Sequence, residues 1–367
     1  MATHFRTCPL CEAMCGIAID LDDEGKISAI RGDTDDVFSR GHICPKAVAL
    51  QDLHLDPDRL RRPLRRSATG FSEVSWEEAL SEAAERLARV QGDHGRNALA
   101  VYLGNPVVHD HGALLISQLL HKSLKTRSRF SATSVDQLPS MLAAYLMFGH
   151  QLLLPVPDLD RTSFLLVLGA NPVASNGSLM TAPGVERRLR ALRARGGTLV
   201  VVDPRRTETA ALADRHHAIR PGTDALLLLA LLHVLFAEDR ARPGRLAAFS
   251  DGLEEIAAAA QRYPPAAVAA ATGIAAPDIV LLARDFAAAR CAVAYGRVGT
   301  STQEFGALAS WLVNVLNVVT GNLDREGGAM FTHPALDLVA LAERLGQRGH
   351  FAKRRSRVRG LPEFSGE

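Results

Sequence analysis

Three cysteines within eight residues, Cys8, Cys11 and Cys15, constrain this chain more than any other feature. Their spacing is C-x2-C-x3-C, and Cys44 follows after a gap of 28 residues. The whole sequence holds five cysteines, so four of them fall in its first 44 positions. The N-terminus shows neither an apolar signal stretch nor a twin-arginine signal, so a cytoplasmic, reducing location is expected. In such a compartment clustered thiols serve a metal rather than disulfides. Four thiolates meeting at one point take Zn²⁺ or an iron–sulfur cluster. Zinc ribbons use two C-x2-C pairs. A compact triplet with one remote cysteine instead wraps three corners of a cubane and closes the fourth. That favours [4Fe–4S] on Cys8, Cys11, Cys15 and Cys44, with zinc as the alternative. Lys46, two residues past Cys44, reads either as a solvent lysine or as a fixed cation that tunes the cluster and relays electrons. Cys291 opens an apolar strand and reads as a core residue.

The segment 1–58 is loop-rich, with short strands at "GIAIDL" (16–21) and "KISAIRG" (26–32). A core this small needs its cofactor to hold it together. From residue 59 the texture changes to strands alternating with helices. "SWEE" (75–78) is a capping box that opens a helix running to about Val90. "ALAVYLG" (98–104) reads as a buried strand, followed by a helix near 111–124, a strand near 129–135 and a helix near 138–148. "FLLVLGAN" (164–171), "GVERRLRALRARGG" (184–197) and "TLVVVDP" (198–204) form one βαβ unit. The stretch 240–290 is alanine-rich and helical, and "CAVAYGR" (291–297) is a further strand before a helix near 305–320. The fold class is therefore α/β, a parallel sheet covered on both faces, with a Rossmann-like core over about 98–335. Two domains are expected, 1–58 and 59–367.

Net charge is +2, which gives no global case for nucleic acid or an anionic membrane as partner. The basic cluster "FAKRRSRVRG" (351–360) reads as a solvated tail. The most apolar run, 225–237, is too short to cross a bilayer and reads as a buried helix.

Ligands of open α/β sheets bind beyond the carboxyl ends of the strands. Gly169 there lets backbone approach a phosphate or ring, and Asn171 can offer its amide. Asp203 ends the next strand, where an acid can bind a ribose hydroxyl, with Arg205 and Thr207 positioned to hold a base or phosphate. No G-x-G-x-x-G is present, which argues against direct NAD binding. "RPGTDA" (220–225) sets Pro221, Gly222 and Asp224 at a strand-to-helix junction, where Asp224 can simply cap the helix. His109 and His111, ahead of a helix, could suggest metal but read as surface or capping residues; His216 and His217, expected to precede a strand, read as structural.

The pattern C-x2-C-x3-C-x28-C-P-K followed by "SWEEAL" resembles the molybdopterin oxidoreductases that carry a bis-(molybdopterin guanine dinucleotide) cofactor, formate dehydrogenases and assimilatory and periplasmic nitrate reductases among them. The resemblance continues through "LGANPVASN" (168–176), "VVDPRRTETA" (201–210), "RPGTDALLLLAL" (220–231) and "TGNLDREGG" (320–328). It implies a [4Fe–4S] domain followed by molybdopterin-binding domains, and a chain that corresponds to the N-terminal half of longer members and lacks their C-terminal β-rich domain. It implies pterin or guanosine contacts at Gly169, Asn171, Pro172, Asp203, Arg205, Thr207, Pro221, Gly222 and Asp224. It also implies a protein ligand to molybdenum within "SATSVDQLPSMLAAYLMFG" (131–149). Counting back from Phe148 by the family's spacing lands on Asp136, with Ser134 as the second candidate and a helix-capping role as the bland reading of Asp136. Gln137 stands where formate enzymes present histidine. The implied activity is two-electron chemistry on a small oxyanion or formate, with electrons passed through the cluster to a redox partner protein. The rival readings are an iron–sulfur electron-transfer subunit of the same fold without molybdenum, and an inactive fragment that binds the cluster alone.

Overall fold

The computed structural model describes residues 2–177, 179–346, 348–356 and 359–365, and within these not the side chains of Asn105, His111 and Ser365. The reading of the His111 side chain, and residues 357 and 358 of the basic cluster, therefore lie outside the described residues. The chain divides into two compact units, Met1–Ala132 and Thr133–Glu367.

In the first unit, β1 (Ala2–Thr7), β2 (Gly16–Leu21) and β3 (Ile27–Gly32) form an antiparallel sheet in the order β1-β2-β3. Two two-stranded sheets follow in sequence: β4 (Leu64–Ser67) and β5 (Gly70–Glu73) form an antiparallel hairpin, and β6 (Ala100–Leu103) pairs parallel with β7 (Ser128–Ser131) across an intervening helix. The Trp76–His94 helix carries both halves of the capping box: the Ser75 hydroxyl accepts from the Glu78 amide at 3.1 Å, and the Glu78 carboxylate accepts from the Ser75 amide at 2.9 Å. The expected buried strand at 98–104 is β6, but Tyr102 is 68% exposed, because the strand has one partner rather than a sheet around it.

The second unit is organised on four parallel strands, β9 (Phe164–Leu168), β10 (Thr198–Val202), β11 (Arg215–His217) and β12 (Ala292–Gly296), in the order β11-β10-β9-β12. Just before them lies β8 (Val156–Pro157), and after them β13 (Ala329–Met330), which pair with each other. His216 and His217 lie within β11, not ahead of a strand; three polar-edged residues give no apolar run by which to read a strand. Alternate residues of β9 divide between two cores. Leu166 and Leu168 join Leu228, Leu232 and Leu316 on one face; Leu165 and Val167 join Leu189 and Leu192 on the other. This period of two, with apolar residues on both faces, is the signature of a doubly covered parallel sheet. The outer edge of β12 is closed by side chains. Asn317 donates to and accepts from the Ala294 backbone, both at 2.9 Å, and Asn322 accepts from the Ala292 amide at 3.1 Å. Those amides satisfy backbone groups that a missing strand would otherwise leave open.

The helix Val185–Ala194 after β9 packs on one face, while the helix Gly306–Val319 after β12 packs mainly on the other. The connections thus part between β9 and β12, which is the topological switch point of the sheet. The basic cluster is not a tail: β14 (His350–Arg355) and β15 (Pro362–Ser365) form an antiparallel hairpin with an irregular register. No single helix is long and apolar enough to cross a membrane among the described residues.

Candidate cofactor sites

The cysteine triplet lies in the connection from β1 to β2. The Cys8 amide donates to the Cys15 carbonyl at 2.8 Å and the Met14 amide to that of Cys11 at 3.2 Å, so the loop curls back on itself. Cys44 precedes the short helix Pro45–Val48 as its N-cap residue. Cys8 and Cys15 are buried, Cys11 and Cys44 half-buried, and all four are free thiols. They share a small core with Ala13, Ile17, Ile30 and Ala47. Sequence reasoning missed the brace beneath them. The Asp36 carboxylate accepts from the amides of Phe38 and Ser39, and the buried Ser39 hydroxyl accepts from the Gly16 amide at 3.0 Å. That folds the 33–41 turn against the residue following Cys15.

Burial pushes the Cys15 thiol up to about 11, with Cys8, Cys11 and Cys44 adding to it. Burial also raises Cys8, the Leu10 amide pulling back, and the Lys46 charge acts in the same lowering sense. Cys8 and Cys15 therefore lie close enough to the other thiols for these to oppose their ionisation. A positively charged metal centre reverses that balance, so the donor set fits a thiolate-bound cluster. Among the described residues no group of three or more His, Cys, Asp or Glu side chains is set to hold a single metal ion. Lys46 itself is exposed.

The second site lies at the carboxyl edge of the β11-β10-β9-β12 sheet. Gly169 has φ +54°, and a Cβ there would stand 2.8 Å from the backbone of Gly299 and Thr300. Its glycine is thus required by the loop after β12, whose Gly299 amide donates to the Gly169 carbonyl at 2.9 Å. Asn171 is engaged from the other side. Its Nδ2 donates to Glu208 at 2.6 Å, and its Oδ1 accepts from the Thr209 hydroxyl at 2.8 Å and amide at 3.2 Å. Pro172 is buried at the first turn of Pro172–Ser175. Thr207 is buried and caps Glu208–Leu212 through the Ala210 amide at 3.1 Å. Asp203 lies just past β10, and its Oδ1 accepts from the Arg205 amide at 2.8 Å; the Arg205 side chain is exposed, 3.7 Å from Glu208.

Pro221 and Gly222 are exposed; Gly222 has φ +81° and open space around it. Asp224 is not a cap. Thr223 holds that position, and the Asp224 carboxylate, 4% exposed, accepts from Gln303 Nε2 at 2.8 Å. Burial raises its pKa, the Gln303 bond works against that, and the neighbouring Asp203 charge adds to it. Neither does Asp136 cap a helix. Gln137 is the N-cap of Leu138–Phe148, without a side-chain bond, and the Asp136 carboxylate pairs instead with Arg297 at 2.6 Å. Ser134 is exposed in the preceding turn.

One segment therefore joins residues that lie far apart in the sequence. Residues 297–303, after β12, touch Asp136 through Arg297, Gly169 through Gly299 and Asp224 through Gln303. None of these three was singled out in the sequence; the available signal was "AVAYGR", an apolar strand ending in Gly-Arg. Ser301 Oγ and Gln303 Oε1 are buried with no partner among the described residues. Buried polar atoms without partners are uncommon in a finished structure. At the edge of a parallel sheet they fit a polar ligand that the protein was built to hold. His217 Nε2 and His109 Nε2 are likewise buried without a partner, while His216 Nε2 meets the Asp203 carbonyl at 2.9 Å. Burial lowers the His217 pKa.

Asp224 supports a pH prediction. Its raised folded pKa means that the protonated form favours folding. The benefit is fully present below the ordinary aspartate pKa and is lost as pH rises through the folded value. An Asp224→Asn chain should melt higher than wild type at pH 7 and alike at pH 4, by calorimetry. Equal shifts at both pH values would remove the buried charge as the cause.

The family follows from comparison with known sequences. The profile of the molybdopterin oxidoreductase family matches residues 59–361, and that of the molybdopterin oxidoreductase Fe4S4 domain matches residues 2–53. The chain belongs to the molybdopterin oxidoreductase family and carries its Fe4S4 domain. It is 27% identical to formate dehydrogenase H of Escherichia coli over 328 residues, which is 87% of this chain and 44% of that protein. Over 336 residues it is 29% identical to the thiosulfate reductase molybdopterin-containing subunit PhsA of Salmonella typhimurium, covering 88% and 41%. With the assimilatory nitrate reductase catalytic subunit of Bacillus subtilis it shares 26% over 330 residues, covering 88% and 45%. Acetylene hydratase from Pelobacter acetylenicus shares the fold, with a TM-score of 0.75 and 24% identity over 90% of this chain and 45% of that one. The chain thus spans less than half the length of these relatives.

Proposed function

We propose that this chain forms part of a molybdenum oxidoreductase acting on a small oxyanion of the nitrate type, or on formate. Residues 1–58 would hold a [4Fe–4S] cluster through Cys8, Cys11, Cys15 and Cys44. Residues 59–367 would hold molybdopterin guanine dinucleotide of a bis-pterin centre along the sheet edge. When bound, that cofactor supplies two-electron chemistry at molybdenum. The chain's own residues bind and orient it. Gly222, Asp203 and Asp224 would receive the nucleotide end; Gly169, Asn171 and Pro172 shape the strand end beneath it; Thr207 and Arg205 fix the turn after Asp203. Asp136 would face the metal, with Ser134 as the alternative. A hard carboxylate suits a metal that exchanges oxygen, and Gln137 where formate enzymes carry histidine favours the oxyanion. Lys46 would serve as the relay cation beside the cluster, electrons would leave singly to a redox partner protein, and the setting would be cytoplasmic, where thiols stay reduced.

The observation that carries this reading is the convergence of Asp136, Gly169 and Asp224 on the single segment 297–303, beside buried polar atoms that lack partners. Acid hydrolysis of the purified protein, followed by chromatography, tests it. GMP and a fluorescent pterin should be released. AMP, or no nucleotide, would remove the guanine dinucleotide; iron with no pterin would favour an electron-transfer subunit of the same fold.

A further inference from the structure

We propose that Arg297 is a positioning residue that holds one oxygen of Asp136, so that the carboxylate meets the metal through its other oxygen alone. This rests on the reading above that Asp136 faces the cofactor metal. Arg297 Nη1 donates to Asp136 Oδ1 at 2.6 Å, and among the described residues Oδ2 accepts no hydrogen bond. The two side chains are unequally placed: that of Arg297 is 11% exposed and that of Asp136 37%.

Arg297 is also the more firmly anchored partner. It follows directly on β12, and its amide donates to the Leu168 carbonyl at 3.3 Å. Its carbonyl accepts from the Thr300 amide at 2.8 Å and the Thr300 hydroxyl at 2.7 Å. Two residues on, Gly299 is pressed against Gly169, so the arginine stem is fixed to the sheet at its switch point. Asp136, by contrast, sits in a turn and leaves the following helix uncapped. The arginine therefore sets where the carboxylate stands.

A carboxylate can ligate through one oxygen or both. An oxygen that already accepts a charge-assisted bond from a guanidinium is a poorer metal donor. With Oδ1 so engaged, Oδ2 is the remaining donor. Removing the guanidinium frees Oδ1 to join it.

The test uses the molybdenum-loaded full chain as isolated, in wild-type form and as Asp136→Asn, Arg297→Met and Arg297→Lys. Molybdenum-edge X-ray absorption counts the oxygen neighbours, and Mo(V) electron paramagnetic resonance reports the ligand field. Asp136→Asn should shift both spectra. Arg297→Met should add one oxygen neighbour and shift the resonance, and Arg297→Lys, which keeps a cationic donor, should return both toward wild type. Should Arg297→Met not fold, Arg297→Leu gives the same readout, likewise without a donor. If Asp136→Asn shifts the spectra while the neutral Arg297 variants superimpose on wild type, the positioning role is overturned and Asp136 stands as ligand. If Asp136→Asn itself leaves the spectra unchanged, the underlying ligand assignment falls, and the inference with it.

Discussion

A Cys15→Ser chain is expected to lose its iron and, with it, the ordered structure of its first 53 residues. The reason lies in what that segment has to bury. Its core comprises Cys8, Ala13, Cys15, Ile17, Ile30 and Ala47, so two of six buried members are themselves thiols. β1 presents no buried residue at all. A segment this small is marginal without a metal, and burial with neighbouring thiols raises Cys8 and pushes Cys15 up to about 11. Cluster binding and folding are therefore one event. Serine removes a soft donor and leaves a hydroxyl in a buried site. Iron should fall from about four per chain to under about one, the visible absorbance of the cluster should vanish, and proteases should cut within residues 2–53 while the segment from 133 onward survives. Full iron with unchanged proteolysis would show that Cys15 is not a ligand.

The second large effect is at Gly169. Its φ of +54° disfavours any side chain, and the atoms a Cβ would meet at 2.8 Å are backbone atoms of Gly299 and Thr300, which cannot rotate away. Left-handed strain costs roughly 1–2 kcal/mol and overpacking roughly 1–3. Gly169→Ala should therefore destabilise the second unit by about 2–5 kcal/mol in denaturant titration. Gly222 is the matched control. It has φ +81° but nothing within 4 Å, so Gly222→Ala should cost only about 1 kcal/mol. Because Gly299 lies between Arg297 and Gln303, Gly169→Ala should also move the partners of Asp136 and Asp224 and weaken cofactor retention. Equal losses in the two variants would mean that the Gly169–Gly299 approach is not a constraint.

Local features of this chain were legible because they are written in adjacent residues. The capping box at Ser75 and Glu78, the apolar runs of β9 and β10 and the amphipathic helix between them all appear in the structure as read. The Fe4S4 domain was legible because metal chemistry demands cysteines at short spacing. The 297–303 segment was not. "RVGTSTQ" carries no spacing signal, and it becomes part of a site only because β12 pairs with β9, some 128 positions earlier. The same holds for Asp136, whose ion pair with Arg297 spans 161 positions, and for Asp224, which is tied to Gln303 rather than to the helix it opens. β11 escaped notice because Arg215, His216 and His217 are polar, and β6 looked buried because apolar composition does not report how many strands lie beside it.

The central claim is that one chain provides for both a four-cysteine iron–sulfur cluster and a molybdopterin. Elemental analysis of the purified, anaerobically handled protein by mass spectrometry tests it most directly. About four iron atoms and about one molybdenum per chain are expected. A single zinc with no iron would contradict the cluster, and iron without molybdenum would contradict the pterin site at the sheet edge.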